Sequence, residues 1–245
     1  MKKKNIKSYL KNFICIDAER EKRNNIPEFI FAENKSSAMV EELLYSIAES
    51  NGWSAATRVS SSVADYLAGR FKSSSFKFRW EKEARVFVVY KKSFSFKKKY
   101  PCPVGIISAG SSDIYIAEEA RVVCSLLGCQ TVTYYDVGVA GLHRLAEPLD
   151  VMLKKNVCAV IVVAGMDGVL PTIVKSLMPL PVIGVPSSCG YGWRGRGEAA
   201  LNTMLQSCSP GLLVVNIDNG FGAAVAAVLI AKSASREYNS GRRKR

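Results

Sequence analysis

Asp167 is the carboxylate best placed for chemistry in this chain. It stands in Val-Cys-Ala-Val-Ile-Val-Val-Ala-Gly-Met-Asp-Gly-Val-Leu-Pro, residues 157–171. A continuous apolar run that breaks into turn residues suits a parallel strand covered on both faces. Asp167 then sits just past the carboxyl end of that strand, the edge at which open α/β sheets hold ligands. A carboxylate there can take a proton from a reacting carbon; it can equally cap the helix that follows.

Other polar residues fall at the same kind of junction. Ser108-Ala-Gly-Ser111-Ser112-Asp113 follows an apolar run and opens a helix, which makes a phosphate cradle or an ordinary cap. His143, the single His, neighbours Arg144 beyond a Gly-rich turn, and the Arg fork suits phosphate or carboxylate. Ser187-Ser-Cys-Gly190-Tyr191-Gly-Trp193 reads as a mobile loop whose aromatics can stack on a cationic ring. Asn216, Asp218 and Asn219 close the last apolar run, where they orient a polar ligand or cap. Cys208 lies in Gln206-Ser-Cys-Ser-Pro-Gly, with a buried structural thiol as the default reading.

The elements that must position these groups follow from periodicity. Strands are predicted at 104–107, 130–135, 157–164, 181–186 and 212–217. Helices are predicted at 113–127, 142–153, 172–177, 197–205 and 221–232. Five strands alternating with five helices make a doubly wound parallel sheet in three αβα layers. Upstream, residues 17–99 read as a small α+β lobe with its linker. A helix spans 36–50 with Ser36 or Ser37 as cap, short strands lie at 29–31, 55–59 and 85–90, and a helix covers 63–70. The division expected is 1–16 as a flexible basic start, 17–99 as the lobe, 100–235 as the catalytic domain and 236–245 as a basic tail.

The chain has 245 residues and a net charge of +13. Residues 1–100 hold 21 Lys/Arg against 11 Asp/Glu, a net +10, and the remainder is nearly neutral apart from Arg242, Arg243, Lys244 and Arg245. Basic residues among aromatics over 71–99 can bind single-stranded nucleic acid. No RNP-type motif accompanies them, and a packed lobe with no nucleic-acid partner is the reading taken. The seven Cys, at 15, 102, 124, 129, 158, 189 and 208, are odd in number and not spaced as a zinc knuckle, so a reducing, cytoplasmic setting is expected. The acid-free residues 1–16 leave an organelle transit peptide, plastid or mitochondrial, as the alternative. No apolar window of about 18 residues predicts a membrane span, so no membrane partner is expected.

Residues 104–232 resemble the aminoimidazole ribonucleotide carboxylase (PurE) superfamily, and within it the LarB branch. The residues that carry the resemblance are Ser111-Ser-Asp113, Asp136-Val-Gly-Val-Ala-Gly-Leu-His143-Arg144, Val163-Ala-Gly-Met-Asp-Gly168, Pro186-Ser-Ser-Cys-Gly-Tyr-Gly192, Met204-Leu-Gln-Ser-Cys208 and Val215-Asn-Ile-Asp-Asn-Gly-Phe-Gly222. Ile16-Asp17, Arg20, Arg23, Pro27-Glu28, Lys35 and Thr57-Arg58 resemble the LarB amino-terminal region. The resemblance implies a PurE-like fold and carboxylation of the pyridinium ring of nicotinic acid adenine dinucleotide. Carbon dioxide or bicarbonate supplies the carboxyl. Phosphoanhydride hydrolysis then gives pyridinium-3,5-biscarboxylic acid mononucleotide and AMP, a step of nickel-pincer cofactor biosynthesis.

Cys208 matches the family nucleophile and Asp167 the base, where bacterial members carry Glu. Substrate contacts are implied for Ser108, Ser111, Asp113, His143, Arg144, Gly165, Ser187, Gly190, Tyr191, Trp193, Asn216, Asp218 and Asn219. Mg2+ is implied with the phosphates, and no organic cofactor beyond the dinucleotide; the residues that would hold a metal are left unassigned. An octamer is implied as the assembly. A purine-pathway carboxylase or mutase and a weakly active nucleotide-binding homologue are the alternatives. Ser111, Asp113, Arg144, Asp167, Trp193, Cys208 and Asp218 are expected to converge on one cleft at the carboxyl edge of the sheet, within one chain or with help from a neighbouring subunit, and Cys208 is expected to face the same edge as Asp167.

Overall fold

The structure, a computed structural model, describes Asp17 and residues 20–242, with side chains as far as Ser235. The basic start at 1–16 and the last three residues lie outside the described residues. The chain divides into two compact units, Met1–Ser95 and Phe96–Arg245.

In the first unit α1 (Arg20–Asn24) precedes β1 (Ile30–Phe31), α2 (Ser37–Asn51), β2 (Trp53–Thr57), α3 (Ser61–Lys72), β3 (Phe76–Glu81) and β4 (Val86–Lys91). Ser36 caps α2 by accepting from Met39 N at 3.3 Å, and Ser60 caps α3 in the same way from Val63 N. The sheet order is β1-β2-β4-β3, with β1 parallel to β2 and the other pairs antiparallel. β3 is absent from the sequence reading. Its Phe76, Phe78 and Trp80 turn inward while Lys77 and Arg79 point out, the alternation of a half-buried strand. Phe71, Phe76 and Phe87 are buried, and Phe78 stacks on Phe87 with centroids 5.4 Å apart, so these aromatics build the core. Three of the motif residues of this unit tie to one another, since Asp17 N donates to Glu28 and Arg23 pairs with Asp17, while Arg58 pairs with Glu33 outside the motif.

The second unit is a three-layer α/β structure. It runs β5 (Val104–Ser108), α4 (Ile114–Leu126), β6 (Thr131–Tyr134), α5 (Ala146–Lys154), β7 (Val160–Ala164), α6 (Leu170–Leu177), β8 (Val182–Pro186), α7 (Glu198–Leu205), β9 (Leu212–Val214) and α8 (Gly220–Arg242). The strands pair in the order β6-β5-β7-β8-β9, all parallel. Every residue of β5, β7 and β8 is buried, as their continuous apolar runs require. Helices α4 and α8 pack together over one face; α5, α6 and α7 cover the other.

Several boundaries differ from the sequence reading. The central strand starts at Val160, because Val157 N bonds back to Met152 O at 3.2 Å and closes the α5 turn. β9 ends at Val214, where Asp218 N turns inward to Pro186 O at 2.8 Å. Residues 111–113 and 139–145 form 3-10 turns ahead of α4 and α5. Pro148 falls in the first turn of α5, where its missing N–H has no partner to lose. The last helix runs through to Arg242, so the segment read as a tail is helical to that point. Among the described residues no helix is long and apolar enough to cross a membrane.

Gly168 fixes the turn after β7. Its φ is +88°, and a Cβ there would stand 2.6 Å from Ala200 Cα and 2.7 Å from Ala200 O. Gly168→Ala is expected to cost about 3 kcal/mol or more, from left-handed strain plus a backbone clash. Urea unfolding checks this, and an unchanged midpoint refutes it. A second expectation concerns the first unit: with its aromatics in the core, random single-stranded DNA at physiological salt should bind it more weakly than micromolar, measured by fluorescence anisotropy.

Candidate functional site

Parallel pairing gathers the strand ends at one edge, and the main cleft of the second unit opens there. It is lined by Ala109, Gly110, Ser112 and Asp113 after β5, by Gly138, Val139 and Ala140 after β6, by Gly165, Met166 and Asp167 after β7, and by Cys189, Gly190 and Tyr191 after β8. With its open mouth it encloses about 720 Å³, room for a ribonucleotide-sized ligand. The cleft straddles the point between β5 and β7 where the strand order reverses. A second hollow lies on the other side of Met166, Asp167 and Tyr191, and is also lined by Ser187, Trp193, Arg194 and Ala200.

Asp113 is the buried charge of the cleft, 4% exposed. Its Oδ2 accepts from Gly110 N at 2.9 Å. Its Oδ1 is buried beside Gly165 and the Ser187 hydroxyl without a hydrogen bond of good geometry. Burial pushes its carboxyl above the ordinary aspartate range, while Ser187 and the Gly110 amide pull it back and the Asp218 charge adds to the rise. Asp218 accepts from Ser188 N at 2.8 Å and so holds the start of the loop that walls the cleft. Tyr115, in the first turn of α4, faces the same segment, and its hydroxyl is pushed up by burial and by Asp218.

Asp167 is exposed and lines both hollows, and its Oδ1 accepts from Val169 N at 3.2 Å. That bond closes a two-residue turn ahead of α6, whose own N-cap Val169 has no side-chain cap, so Asp167 is presented to the cleft and does not cap the helix. Ser108 is buried and its Oγ accepts from Asp136 N at 3.3 Å. Gly165 and Gly190 pack against each other, with a Cβ on Gly165 only 3.4 Å from Gly190 N. Tyr191 and Trp193 are 77% and 85% exposed; Tyr191 lines both hollows, and Trp193 lines the second with the Arg194 guanidinium 5.5 Å from its ring centroid.

Other expected residues lie away from the cleft lining. Ser111 is exposed in its 3-10 turn. His143 and Arg144 are exposed, and Arg144 Nη1 turns back to Asp136 O at 2.8 Å. Asn216 bonds its own neighbour, Ile217 N, at 2.8 Å, and Asn219 caps α8 through Gly222 N at 2.8 Å. The placement of Cys208 at the Asp167 edge of its own chain is corrected. It precedes β9, whose first residue pairs with Val182 at the start of β8, so the Cys208 loop enters at the edge where strands begin. Its neighbours Ser207 and Ser209 bond to Thr172 of α6. Of the seven residues expected to converge, Asp113 and Asp167 line the cleft, Trp193 lines the adjoining hollow and Asp218 reaches the cleft wall, whereas Ser111, Arg144 and Cys208 do not line it.

The cleft also holds a thiol to which the sequence reading gave a lesser role. Cys189 is exposed there and its Sγ donates to Ser112 O at 3.2 Å. Its place just after a buried strand was the available signal. Among the described residues no group of three or more His, Cys, Asp or Glu is arranged to hold a metal ion.

Comparison with known proteins gives two family matches. Residues 103–244 match AIR carboxylase, and residues 9–92 match the LarB/PurE-like N-terminal domain. The uncharacterized protein MJ0165 of Methanocaldococcus jannaschii is 40% identical over 219 residues, 89% of this chain and 83% of that protein. The N5-carboxyaminoimidazole ribonucleotide mutase of the same organism is 35% identical over 128 residues, 51% of this chain and 76% of the mutase. The mutase of Pyrococcus horikoshii is 29% identical over 145 residues, 58% of this chain and 72% of its own length.

The Asp113 environment sets a pH dependence. A carboxyl whose pKa is raised by folding holds its proton more tightly in the folded than in the unfolded chain. Its contribution to stability is full below the ordinary value of 3.8 and is lost as pH rises through the raised one. Asp113→Asn removes that loss, so its stability relative to the parent should improve steadily across that window and then level off. Thermal unfolding as a function of pH measures this; a difference independent of pH would refute it.

Proposed function

The chain belongs to the LarB family of the PurE superfamily, and on that footing we propose that it carboxylates the pyridinium ring of nicotinic acid adenine dinucleotide. The products are pyridinium-3,5-biscarboxylic acid mononucleotide and AMP. The observation that carries this reading over a purine-pathway one is the LarB/PurE-like N-terminal domain over residues 9–92, whereas the two mutases match only 51% and 58% of the chain.

The chemistry needs a nucleophile, a base and a holder for a cationic ring. A thiolate adding to the pyridinium makes a dihydropyridine whose ring carbon is electron-rich and attacks carbon dioxide. A carboxylate then takes the proton from that carbon, aromaticity returns and the thiolate leaves. Water cleaves the phosphoanhydride to release AMP. Asp167 is the base in this scheme, and Tyr191 and Trp193 supply faces for the ring. Gly110, Ser112 and Asp113, with the open N-terminal end of α4, take the ribose and phosphates. Mg2+ does not fit as a centre held by protein side chains alone, and no step is routed through it; it would arrive with the diphosphate.

Cys208 as nucleophile requires a second copy of the chain to bring its strand-start loop to the cleft of the first. Cys189 is the competing thiol, because one chain alone places it in the cleft.

Mass spectrometry after incubation with the dinucleotide, bicarbonate and Mg2+ is the test. The dicarboxylated mononucleotide with AMP supports the proposal. Turnover of an aminoimidazole ribonucleotide instead supports the purine-pathway alternative, and binding without turnover supports a weakly active homologue. Cys208→Ser should bind and not turn over, whereas Cys189→Ser should cost little; an adduct mapped to Cys189 reverses the assignment. Asp167→Asn should slow turnover about 10²- to 10⁴-fold and let the thiol adduct accumulate. Asp167→Glu tests the shorter acid, since misplacement by about 1 Å costs roughly a hundredfold.

A further inference from the structure

Glu119 lies in the middle of α4 and is 5% exposed, among positions otherwise filled by Ile116, Ala117, Ala120 and Val123. A carboxylate is rarely buried there without a partner. Its Oε2 accepts from Phe221 N at 3.1 Å, in the first turn of α8. A Cβ on Gly220 would stand 2.9 Å from that oxygen and 2.5 Å from Ile116 O, so α8 begins in direct contact with α4. The carboxylate thus meets the end of α8 where free N–H groups and the positive pole of the helix lie.

Two residues ahead of Gly220, Asp218 joins that helix start to the cleft. Its N donates to Pro186 O at 2.8 Å, and its Oδ1 accepts from Ser188 N at 2.8 Å. Ser188 opens the segment whose Cys189, Gly190 and Tyr191 wall the cleft. Tyr115, one turn before Glu119 on α4, faces the same segment.

We infer that Glu119 is a positioning residue: through the start of α8 it fixes Asp218, and through Asp218 it fixes the Ser188 amide and the cleft wall. It touches no cleft surface itself. Its effect on turnover rests on the proposed function; its effect on the wall does not.

Amide hydrogen exchange on the full chain tests it. Glu119→Ala should speed exchange at Ser188 and across 188–191 roughly 10- to 100-fold, the loss of about one charged hydrogen bond, with β5 and β7 unchanged. Glu119→Gln keeps an acceptor oxygen and should restore most of the protection. Unchanged exchange at Ser188 in Glu119→Ala overturns the inference, as does a loss spread evenly over the sheet. If Glu119→Ala does not fold, Glu119→Leu, which fills the space without an acceptor, decides: an acceleration confined to 187–191 supports the inference, and none overturns it. Titration with the dinucleotide runs beside it, with about tenfold weaker binding expected for Glu119→Ala. Failure of the parent protein to bind counts against the proposed function and leaves the exchange result standing.

Discussion

Burial of both faces of β5, β7 and β8 is the constraint on which the rest of the second unit depends. With every residue of these strands buried, no polar group can do chemistry along their length. Reactive side chains are confined to the ends. Because all five strands are parallel, everything that follows a strand shares one edge and everything that precedes one shares the other. Asp113, Asp167 and Cys189 fall together for that reason, although 76 residues separate the first from the last.

The same edge concentrates negative charge, and the wall of the cleft is shaped by it. Asp113 and Asp218 are close enough for the charge of Asp218 to raise the Asp113 carboxyl, and Ser188 donates its backbone N–H to Asp218. Removing a donor from such a network costs more than the bond itself is worth, because a buried carboxylate then loses its compensation. Glu119 extends the arrangement on the far side of Asp218, at a helix start that would otherwise carry unpaired amides. Asp218 thereby holds the loop start directly, and Glu119, about a hundred residues away in sequence, holds the helix start behind it.

Much of this was legible in the sequence. Alternation of five apolar runs with helical spacings gives the sheet, and the turn residues after the first four runs give the cleft. The hairpin partner β3 was missed because Lys77 and Arg79 interrupt its aromatics, although that interruption is itself the two-residue period of a strand. Glu119 escaped notice because nothing in Ala-Glu-Glu-Ala distinguishes a buried Glu from the exposed kind; only the approach of α8 does. Cys208 was read correctly as lying between a helix and a strand, but in a parallel sheet that junction lies at the strand starts, opposite Asp167.

The thiols sharpen the consequence. Of the six described cysteines, Cys124 is pushed far up by burial, Cys129 is pushed up to about 12 and Cys158 to about 11, so none of these three is poised to ionise near neutral pH. Cys102 is half-buried beside them, its carbonyl accepting from the Cys129 thiol at 3.5 Å. Cys189 and Cys208 are the exposed pair, one at each edge of the sheet. Attack by Cys189 needs a single chain. Attack by Cys208 would need a thiol from one copy and a carboxylate from another, because the loop that carries Cys208 enters at the strand starts, opposite Asp167.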